Sequence, residues 1–381
     1  MQKYFNENYL KSYAVKSINS KGRFYYETEQ PIRSPYQRDR DRIVHSSSFR
    51  RLKHKTQVFV NTIGDHYRTR LTHSMEVSQI ARTLARALCL NEDLSETLSL
   101  SHDLGHTPFG HAGEETLRDC MENYGGFNHN IQTLRIVTFI ENKYYKFYGL
   151  NLTLETLDGL LKHNGPVENI SEYKKILRKD FFNKNIVFNS YPSLEAQVAA
   201  ISDDIAYNNH DLEDGLRAGL FTIQKISAIP FISELVKKHV KNIKNYRREV
   251  IINQIVRDLI NEMVLDVIKT TNINLSKNKP KALKDIYKQK KLIVDFSYKM
   301  KTVDNQIKDF LNQNMYNHKS VLINTNKGKK IINDLFKNIF KNPKKYISKE
   351  LLKIDEKERL IADFVAGMTD RFAINLYNKI K

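Results

Sequence analysis

The sequence is poor in cysteine, proline and glycine, with 2 Cys, 8 Pro and 14 Gly among 381 residues. Two cysteines, Cys89 and Cys120, cannot build a disulfide framework, which excludes the small disulfide-rich folds and favours a reducing compartment. No run of about 18 apolar residues occurs, and the N-terminus has no apolar signal segment. We therefore expect a cytoplasmic protein without a membrane partner.

Acidic residues are also few relative to basic ones, since 43 Asp and Glu face 62 Lys and Arg and leave a net charge of +19. Such an excess favours polyanionic partners, namely nucleotides, nucleic acid or an acidic lipid surface. Much of the charge lies in Lys- and Asn-rich stretches such as "KNIKNYRREV". A compositional bias is therefore an alternative explanation of the charge.

Helical periodicity is abundant, whereas strand-like alternation is scarce. Apolar residues recur at helical spacing in "HSMEVSQIARTLARALCL" and in "NQIVRDLINEMVLDVI". Ser34, Ser95 and Ser193 are candidate N-caps, and Thr107-Pro108 is a candidate helix restart. Only "TQVFV" suggests a strand or hairpin. The pattern predicts an all-α protein.

Three regions follow from these patterns. Residues 1–68 are predicted to form an N-terminal helical segment with a short hairpin. Residues 69–215 hold the ionisable motifs described below. Residues 216–381 are predicted to form a Lys-rich helical C-terminal region. Its helices either share one hydrophobic core with residues 1–215 or form a separate unit.

Residues 98–117, "LSLSHDLGHTPFGHAGEETL", carry more ionisable side chains than a core segment tolerates. They contain three histidines and three carboxylates: His102, Asp103, His106, His111, Glu114 and Glu115. An adjacent His–Asp pair near a helix end can reach one divalent ion. By itself, an adjacent His and Asp is a weak signal, and the alternative is a histidine that is hydrogen-bonded to its neighbour.

Two further residues favour the metal interpretation. His73 lies at the start of a predicted helix in "RTRLTHSMEV", and Asp203 lies in the otherwise apolar "AAISDDIAY". A buried carboxylate is costly unless it is paired or bound to metal, and a salt bridge to an arginine is the alternative for Asp203. The resulting pattern, H…HD…D, offers two imidazoles and two carboxylates to one metal and leaves open positions for water and substrate.

This order of motifs resembles the HD-domain metal-dependent phosphohydrolases. The longer strings "HDLGHTPFGHAGE", "SLEAQVAAISDDIAYNNHDLEDGLRAGL" and "ADFVAGMTDRFA" resemble more specifically the bacterial dGTPase-like branch of the deoxynucleoside triphosphate triphosphohydrolases. The matching motifs lie at about residues 35–220 and at 362–373. The resemblance implies an HD-type helical fold with a helical C-terminal extension. It does not extend to the Lys-rich middle of the C-terminal half.

The resemblance also implies roles for individual residues. The metal ligands would be His73, His102, Asp103 and Asp203. They would hold one divalent ion, with Mg²⁺ or Mn²⁺ as the first expectation and Fe, Ni, Zn or Co as alternatives. The catalytic residues would be His111, Glu114 and His129. The substrate-binding residues would be Gln57, Arg70, His106, Tyr207 and Asp211.

Several alternatives stay open within this assignment. His111 could simply cap the start of a helix, and Asp211 with Asp214 could form a solvated acidic helix end. No cation can be assigned to the β- and γ-phosphates, because Asp204 stands where some relatives of this type carry a basic residue.

The implied reaction is hydrolysis of a deoxynucleoside triphosphate, with dGTP the leading candidate, to deoxynucleoside and inorganic triphosphate. One alternative is another HD-type phosphodiesterase or nucleotidase that uses the same ligands. A second alternative, from a different class, is a nucleotide-sensing protein that binds nucleic acid. By resemblance we also expect single-stranded DNA as a partner and a homo-oligomer, specifically a hexamer.

Overall fold

The computed structural model describes residues 6–29, 32–57, 68–243 and 246–380, and these residues are mainly helical. The α-helices are α1 (Pro35–Val44), α2 (Ser47–Arg51), α3 (Arg70–Ala87), α4 (Glu92–Ser101), α5 (Gly110–Cys120), α6 (His129–Arg135), α7 (Leu154–Leu161), α8 (Ser171–Ile176), α9 (Lys179–Phe182), α10 (Leu194–Arg217), α11 (Ile223–Ile226), α12 (Pro230–Ile243), α13 (Arg248–Asn278), α14 (Leu283–Tyr287), α15 (Tyr298–Leu311), α16 (Lys319–Lys341), α17 (Leu351–Ile354), α18 (Lys357–Ala366) and α19 (Asp370–Ile380).

Extended pairing among the described residues is limited to isolated bridges, such as the one between Arg23 and Thr153. The prediction of an all-α fold is therefore confirmed. The hairpin predicted around "TQVFV" lies mostly outside the described residues, because residues 58–67 are not among them. Among the helices described, none combines the length and apolar composition required to cross a bilayer.

Two of the three predicted N-caps begin their helices as expected. The Ser34 hydroxyl accepts from the amide of Gln37, and the Ser193 hydroxyl accepts from the amide of Ala196 at the start of α10. The prediction for Ser95 is wrong, because α4 begins at Glu92 and its cap is Asn91, four residues before Ser95. Ser95 instead lies inside the helix, where its hydroxyl donates to the carbonyl of Asn91.

Helix α5 begins later than the Thr107-Pro108 signal suggested. Its first residue is Gly110, and the preceding Phe109 has a φ of 62°, in the left-handed region. Proline is favoured at the first helical position, but here Phe109, which has a positive φ, separates Pro108 from Gly110, the first residue of α5. The chain therefore makes a tight turn between the histidine-rich segment and α5.

Three apolar clusters hold the helices together. The first joins α3 and α10 to α12, α13 and α15, so it spans the predicted boundary at residue 216. The second joins α1, α4, α6 and α7, and the third joins α5, α16, α18 and α19. Helices α3, α4 and α10 pack against one another at the centre. The predicted division into three regions stays a prediction.

A short 3₁₀ segment, His102–Gly105, follows α4 and carries the His–Asp pair. Gly105 in this segment has no room for a side chain, because a Cβ would lie 2.0 Å from the carbonyl oxygen of His129 and 2.5 Å from the amide nitrogen of Thr133. Both are backbone atoms of α6, so α6 packs directly on the segment. This close approach places His129 beside the histidines of the loop.

Replacing Gly105 with Ala should force α6 away from the 3₁₀ segment. We expect the free energy of unfolding to fall by about 3 kcal/mol or more, the upper range for overpacking, in a urea titration. Gly165→Ala is the control: unlike Gly105, Gly165 has a positive φ, of 98°, but a Cβ there would meet nothing within 4 Å. Gly165→Ala should lower the free energy of unfolding by about 1 kcal/mol. Equal losses in both variants would contradict the packing explanation.

Candidate active site

The candidate site lies where the first turn of α3, the 3₁₀ segment and the middle of α10 meet. His73, His102 and Asp203 come from these three elements, and their ligand atoms all lie within 4.8 Å of one another. His73 Nε2 is 2.8 Å from Asp203 Oδ1, and His102 Nε2 is 3.4 Å from the same oxygen. The structure thus assembles three of the four predicted ligands, which are far apart in sequence.

The surroundings of His102 fit a cation. Its Nδ1–H donates to the carbonyl of Ser99 at 2.6 Å, which leaves Nε2 as an acceptor. Nε2 is buried without a well-aligned partner among the described residues, yet Asp103 Oδ1 and Asp203 Oδ1 both lie 3.4 Å away. Burial opposes protonation of His102, but with no metal ion present the two carboxylates raise its pKa to about 9, so that a proton on Nε2 then supplies the positive charge. Three acceptors that face one another require a positive charge between them.

Asp103, the fourth predicted ligand, joins this group to the residues predicted to bind substrate. Its Oδ2 accepts from Arg70 Nη1 at 2.9 Å, and its Oδ1 lies 3.1 Å from His106 Nε2. Burial opposes ionisation of Asp103, but the neighbouring Arg70, His102 and His106 hold its pKa well below the usual range. Asp103 therefore remains an anion that links the guanidinium of Arg70 to the imidazole cluster.

A second group comprises His106, Glu114 and His129, whose ligand atoms also lie within 4.8 Å of one another. Both oxygens of Glu114 are 2.9 Å from His129 Nδ1, and Oε1 also accepts from the amide of His129. The rings of His106 and His129 are stacked at 3.9 Å with an interplanar angle of 19°. The two ring planes are therefore nearly parallel, and a lone pair that lies in one plane does not point toward the other ring. This geometry suits proton handling better than a second metal.

Glu114 is bonded to His129 rather than to His111 in this structure. Burial opposes ionisation of Glu114, but hydrogen bonds and the charge of His129 lower its pKa below the usual range. His111 Nδ1 is 3.9 Å from Glu114 Oε2, beyond hydrogen-bond distance, and its side chain is 68 % exposed. The structure therefore places His111 at the open side of the cluster and His129 at the buried side.

Four of the residues predicted to bind substrate carry buried polar atoms without a hydrogen-bond partner in the described part of the chain. These atoms are Gln57 Oε1, Arg70 Nε, His106 Nδ1 and Asp211 Oδ1. Buried polar groups in native proteins are nearly always satisfied, so atoms of this kind mark places where water or a ligand belongs. Here they include both donors and acceptors, as a polar ligand requires.

Tyr316 is a site residue that the sequence did not reveal. It ends the π-helical segment Asn312–Tyr316 after α15, and its hydroxyl donates to Asp211 Oδ2 at 2.5 Å. Its ring lies 6.4 Å from that of Tyr207, which in turn lies 6.5 Å from His73. Burial raises the pKa of Asp211 to about 8, so this carboxyl holds its proton at neutral pH. No sequence motif marks Tyr316, because contact with α10 depends on how α15 packs.

Comparison with known proteins agrees with this geometry. The family model of the HD domain matches residues 70–208, and that of the phosphohydrolase-associated domain matches residues 294–379. The chain is 58 % identical over 357 residues to a deoxyguanosinetriphosphate triphosphohydrolase-like protein of Pelagibacter ubique, covering 94 % of this chain and 96 % of that protein. Proteins with the same name from Bartonella quintana and Parvibaculum lavamentivorans are 48 % and 45 % identical and cover 99 % and 97 % of this chain, and 96 % and 95 % of their own lengths.

The chain belongs to the deoxyguanosinetriphosphate triphosphohydrolase-like proteins. It is thus an enzyme, a hydrolase of the HD class, and the resemblance inferred from the motifs is confirmed. HD domains bind divalent metal ions, and the group of His73, His102 and Asp203 offers a place for one. The phosphohydrolase-associated match covers α15 to α19, which includes Tyr316.

Two more side chains of this hydrolase border the site and were not singled out from the sequence. His163 Nε2 lies 3.4 Å from Asp203 Oδ2, and its ring is stacked on that of His102 at 5.4 Å. Lys308 Nζ lies 2.9 Å from Asp204 Oδ1 and 2.9 Å from Asp304 Oδ2. Lys308 could not be distinguished from the other basic residues by sequence, because only the packing of α15 on α10 brings it there.

Replacing His102 or Asp203 with Ala should remove bound divalent metal, because each substitution deletes one ligand from the group of His73, His102 and Asp203. The helical content should change little. The measurement is metal content of the purified variants together with circular dichroism. His239→Ala, which removes a histidine paired with Asp258 at 2.9 Å elsewhere, is the control and should keep its metal. Full metal occupancy in the His102 and Asp203 variants would contradict this site.

Proposed function

We propose that this hydrolase converts a deoxynucleoside triphosphate, with dGTP as the first candidate, to deoxynucleoside and inorganic triphosphate. The observation that carries the proposal is a pair of buried unpartnered atoms near the acceptor cluster: Nε of Arg70, whose guanidinium bonds to Asp103, and Oδ1 of Asp211, which lies on the same helix as Asp203. The first suits a phosphate and the second suits a sugar hydroxyl. The names of the relatives support the same substrate class.

In this proposal His73, His102, Asp103 and Asp203 hold one divalent ion. The donor set of imidazoles and carboxylates suits Mg²⁺ or Mn²⁺, with Fe, Ni, Zn or Co as alternatives. When bound, the ion supplies Lewis acidity at the α-phosphate and lowers the pKa of water. Asp103 has a second task, since its contact with Arg70 aims the guanidinium at the same side of the site.

Arg70 and His106 bind the reacting phosphate. Arg70 keeps Nη1 on Asp103 and leaves Nε unpartnered, so the planar guanidinium is already oriented before substrate arrives. His106 is held between Asp103 and the ring of His129, and its Nδ1 is unpartnered in the described part of the chain. A preorganised guanidinium stabilises charge that develops on phosphoryl oxygens, and His106 can add a hydrogen bond to them when Nδ1 also carries a proton.

Proton transfer falls to His111, Glu114 and His129. The departing 5′-oxygen of the deoxynucleoside must gain a proton, and the attacking water must lose one. Glu114 accepts from Nδ1–H of His129, which orients that ring and fixes its tautomer. His111 lies on the open side of the pair, where it can exchange protons with solvent. The reaction would thus use a buried, oriented histidine and an exposed one.

Asp211, Tyr207 and Tyr316 bind the sugar. The free oxygen of Asp211 pairs with the 3′-hydroxyl, since a carboxyl group and a hydroxyl can each donate and accept. The tyrosine rings pack close together beside Asp211, so an added 2′-hydroxyl meets ring atoms rather than a partner. We assign Lys308, which bonds to Asp204, as the cation that binds the β- and γ-phosphates.

Glu114→Gln should lower turnover without weakening the binding of metal or nucleotide. The amide keeps the size of the side chain but cannot orient His129 as the carboxylate does, so kcat should fall by roughly a hundredfold. Metal content and dGTP affinity should stay near those of the parent enzyme. Glu115→Gln is the matched control, because Glu115 is adjacent but bonds to Lys329 on the surface. A near-normal kcat, or loss of metal, in Glu114→Gln would refute the role of this residue.

Asp211→Ala should act on the sugar instead. We expect KM for dGTP to rise and the preference for dGTP over GTP to shrink by roughly tenfold or more, because a site built for a hydroxyl loses its partner. Steady-state kinetics with both nucleotides measure this, and chromatography identifies the product. Intact triphosphate supports the proposal, whereas pyrophosphate or phosphate favours another HD-type phosphodiesterase or nucleotidase. No turnover with metal and any nucleotide favours the nucleotide-sensing alternative.

Single-stranded DNA binding, a hexameric assembly and a cytoplasmic location stay predictions, because the structure of one chain bears on none of them.

A further inference from the structure

The turn between the 3₁₀ segment and α5 carries both His106 and His111, and its backbone is unusual. Phe109 has a φ of 62°, which is uncommon for a bulky residue and unfavourable by itself. No side chain of this turn caps the start of α5. The position of His111, in the first turn of α5, therefore depends on contacts from outside the helix.

Asp370, the first residue of α19, supplies such a contact. It is 3 % exposed, and its Oδ1 accepts from the amide of Phe109 at 3.0 Å. Its Oδ2 accepts from the amide of Thr56 at 3.0 Å and from the Thr56 hydroxyl. One carboxylate thus joins the segment that contains Thr56 to the residue that precedes α5. Those two segments are more than 50 residues apart in the chain.

Asp370 is not needed to cap its own helix, because Thr369 does so: the Thr369 hydroxyl accepts from the amide of Phe372 at 3.2 Å. Its two oxygens are therefore committed to Thr56, in a separate segment, and to Phe109, in the turn itself. A buried carboxylate with three donors is held in a narrow range of positions. Substrate cannot reach Asp370 directly, so any effect on turnover must pass through the segments that it holds.

Two other contacts fix the same turn. Lys55 Nζ, fully buried, donates to the carbonyl of His106 and, at 2.9 Å, to the carbonyl of Ala366 at the end of α18. Gly328 of α16 packs on the ring of Phe109, since a Cβ there would lie 2.8 Å from Phe109 Cβ and Cγ. The C-terminal helices therefore contact the end of the turn directly, at Phe109, and its beginning indirectly, because Lys55 bridges the carbonyls of His106 and Ala366.

We propose that Asp370 is a positioning residue for catalysis: it holds Thr56 and the start of α5 at a set separation, and so keeps His106 aligned on the substrate phosphate and His111 in place for proton transfer. This inference rests on the function proposed above for those histidines. It gives a role to "ADFVAGMTDRFA", the C-terminal motif that the sequence singled out without assigning one. Displacements of about 1 Å in catalytic groups are enough to reduce rates by about a hundredfold.

The experiment compares Asp370→Ala, Asp370→Asn and Thr369→Ala in the full-length, metal-loaded enzyme. Alanine removes both acceptors, whereas asparagine keeps one oxygen for the Phe109 amide; its NH2 group can donate to the Thr56 hydroxyl but leaves the Thr56 amide without an acceptor. Thr369→Ala removes the cap of the same helix and leaves the turn alone. The readouts are kcat and KM for dGTP, metal content, melting temperature, and amide hydrogen exchange of the peptide that spans residues 106–111.

Asp370→Ala should lower kcat by roughly thirtyfold or more, in line with misplaced catalytic groups, with metal content unchanged and KM altered by a few-fold at most. Exchange in residues 106–111 should accelerate. Asp370→Asn should recover most of kcat, to within about threefold of the parent, because one bond to the turn persists. Thr369→Ala should lower the melting temperature by a few degrees, as lost caps do, without changing kcat or exchange in the turn.

Unchanged exchange in Asp370→Ala would overturn the proposal, as would a loss of kcat in Thr369→Ala as large as in Asp370→Ala. Loss of metal together with kcat in Asp370→Ala would also overturn it, since that result indicates general damage. If Asp370→Ala does not fold, Thr56→Val, which removes one of the three donors, takes its place and must accelerate exchange in the turn. If the parent enzyme releases no triphosphate from dGTP, the proposed function fails, while the exchange data still decide whether Asp370 holds the turn.

Discussion

Electrostatic repulsion among buried acceptors at the meeting point of α3, α4 and α10 is the constraint on which the site depends. His102 Nε2 is obliged to be an acceptor because its Nδ1–H is given to Ser99, and the oxygens of Asp103 and Asp203 face it. Such an arrangement is unfavourable without a positive charge in the middle. The helices that converge here are packed by two apolar clusters, so the fold supplies the energy that keeps these acceptors together.

The net charge of +19 says little about the site, because the basic side chains found there are paired with acidic ones. Arg68 lies next to the site but is bonded to Asp214 and two neighbouring glutamates, and Arg70 is bonded to Asp103. Lys308 is likewise paired with acidic side chains. Cations here are therefore oriented by carboxylates instead of standing as free charges. An oriented guanidinium is a more selective phosphate ligand than a diffuse basic surface.

The C-terminal region is part of the site and not an appendage to it. Tyr316 bonds to Asp211, and Lys308 reaches the rim of α10. Asp370 holds the turn before α5, on the other side of the site. The contacts of Tyr316 and Lys308 rest on the first apolar cluster, which includes α10, α13 and α15, whereas α19 packs with α5 in the third cluster. A core of this kind lets distant residues determine the position of catalytic groups to within fractions of an ångström.

The sequence by itself determined the helical fold, the cap residues Ser34 and Ser193, and the H…HD…D order, because periodicity, capping and motif spacing are local properties. It misplaced the start of α4, since Asn91 and Ser95 are chemically equivalent candidates for a cap. Only the tertiary structure decided that Glu114 bonds to His129, that Tyr316 reaches Asp211 and that Asp370 joins Thr56 to Phe109. Those contacts depend on how helices far apart in the chain pack against one another, and no local pattern encodes that packing.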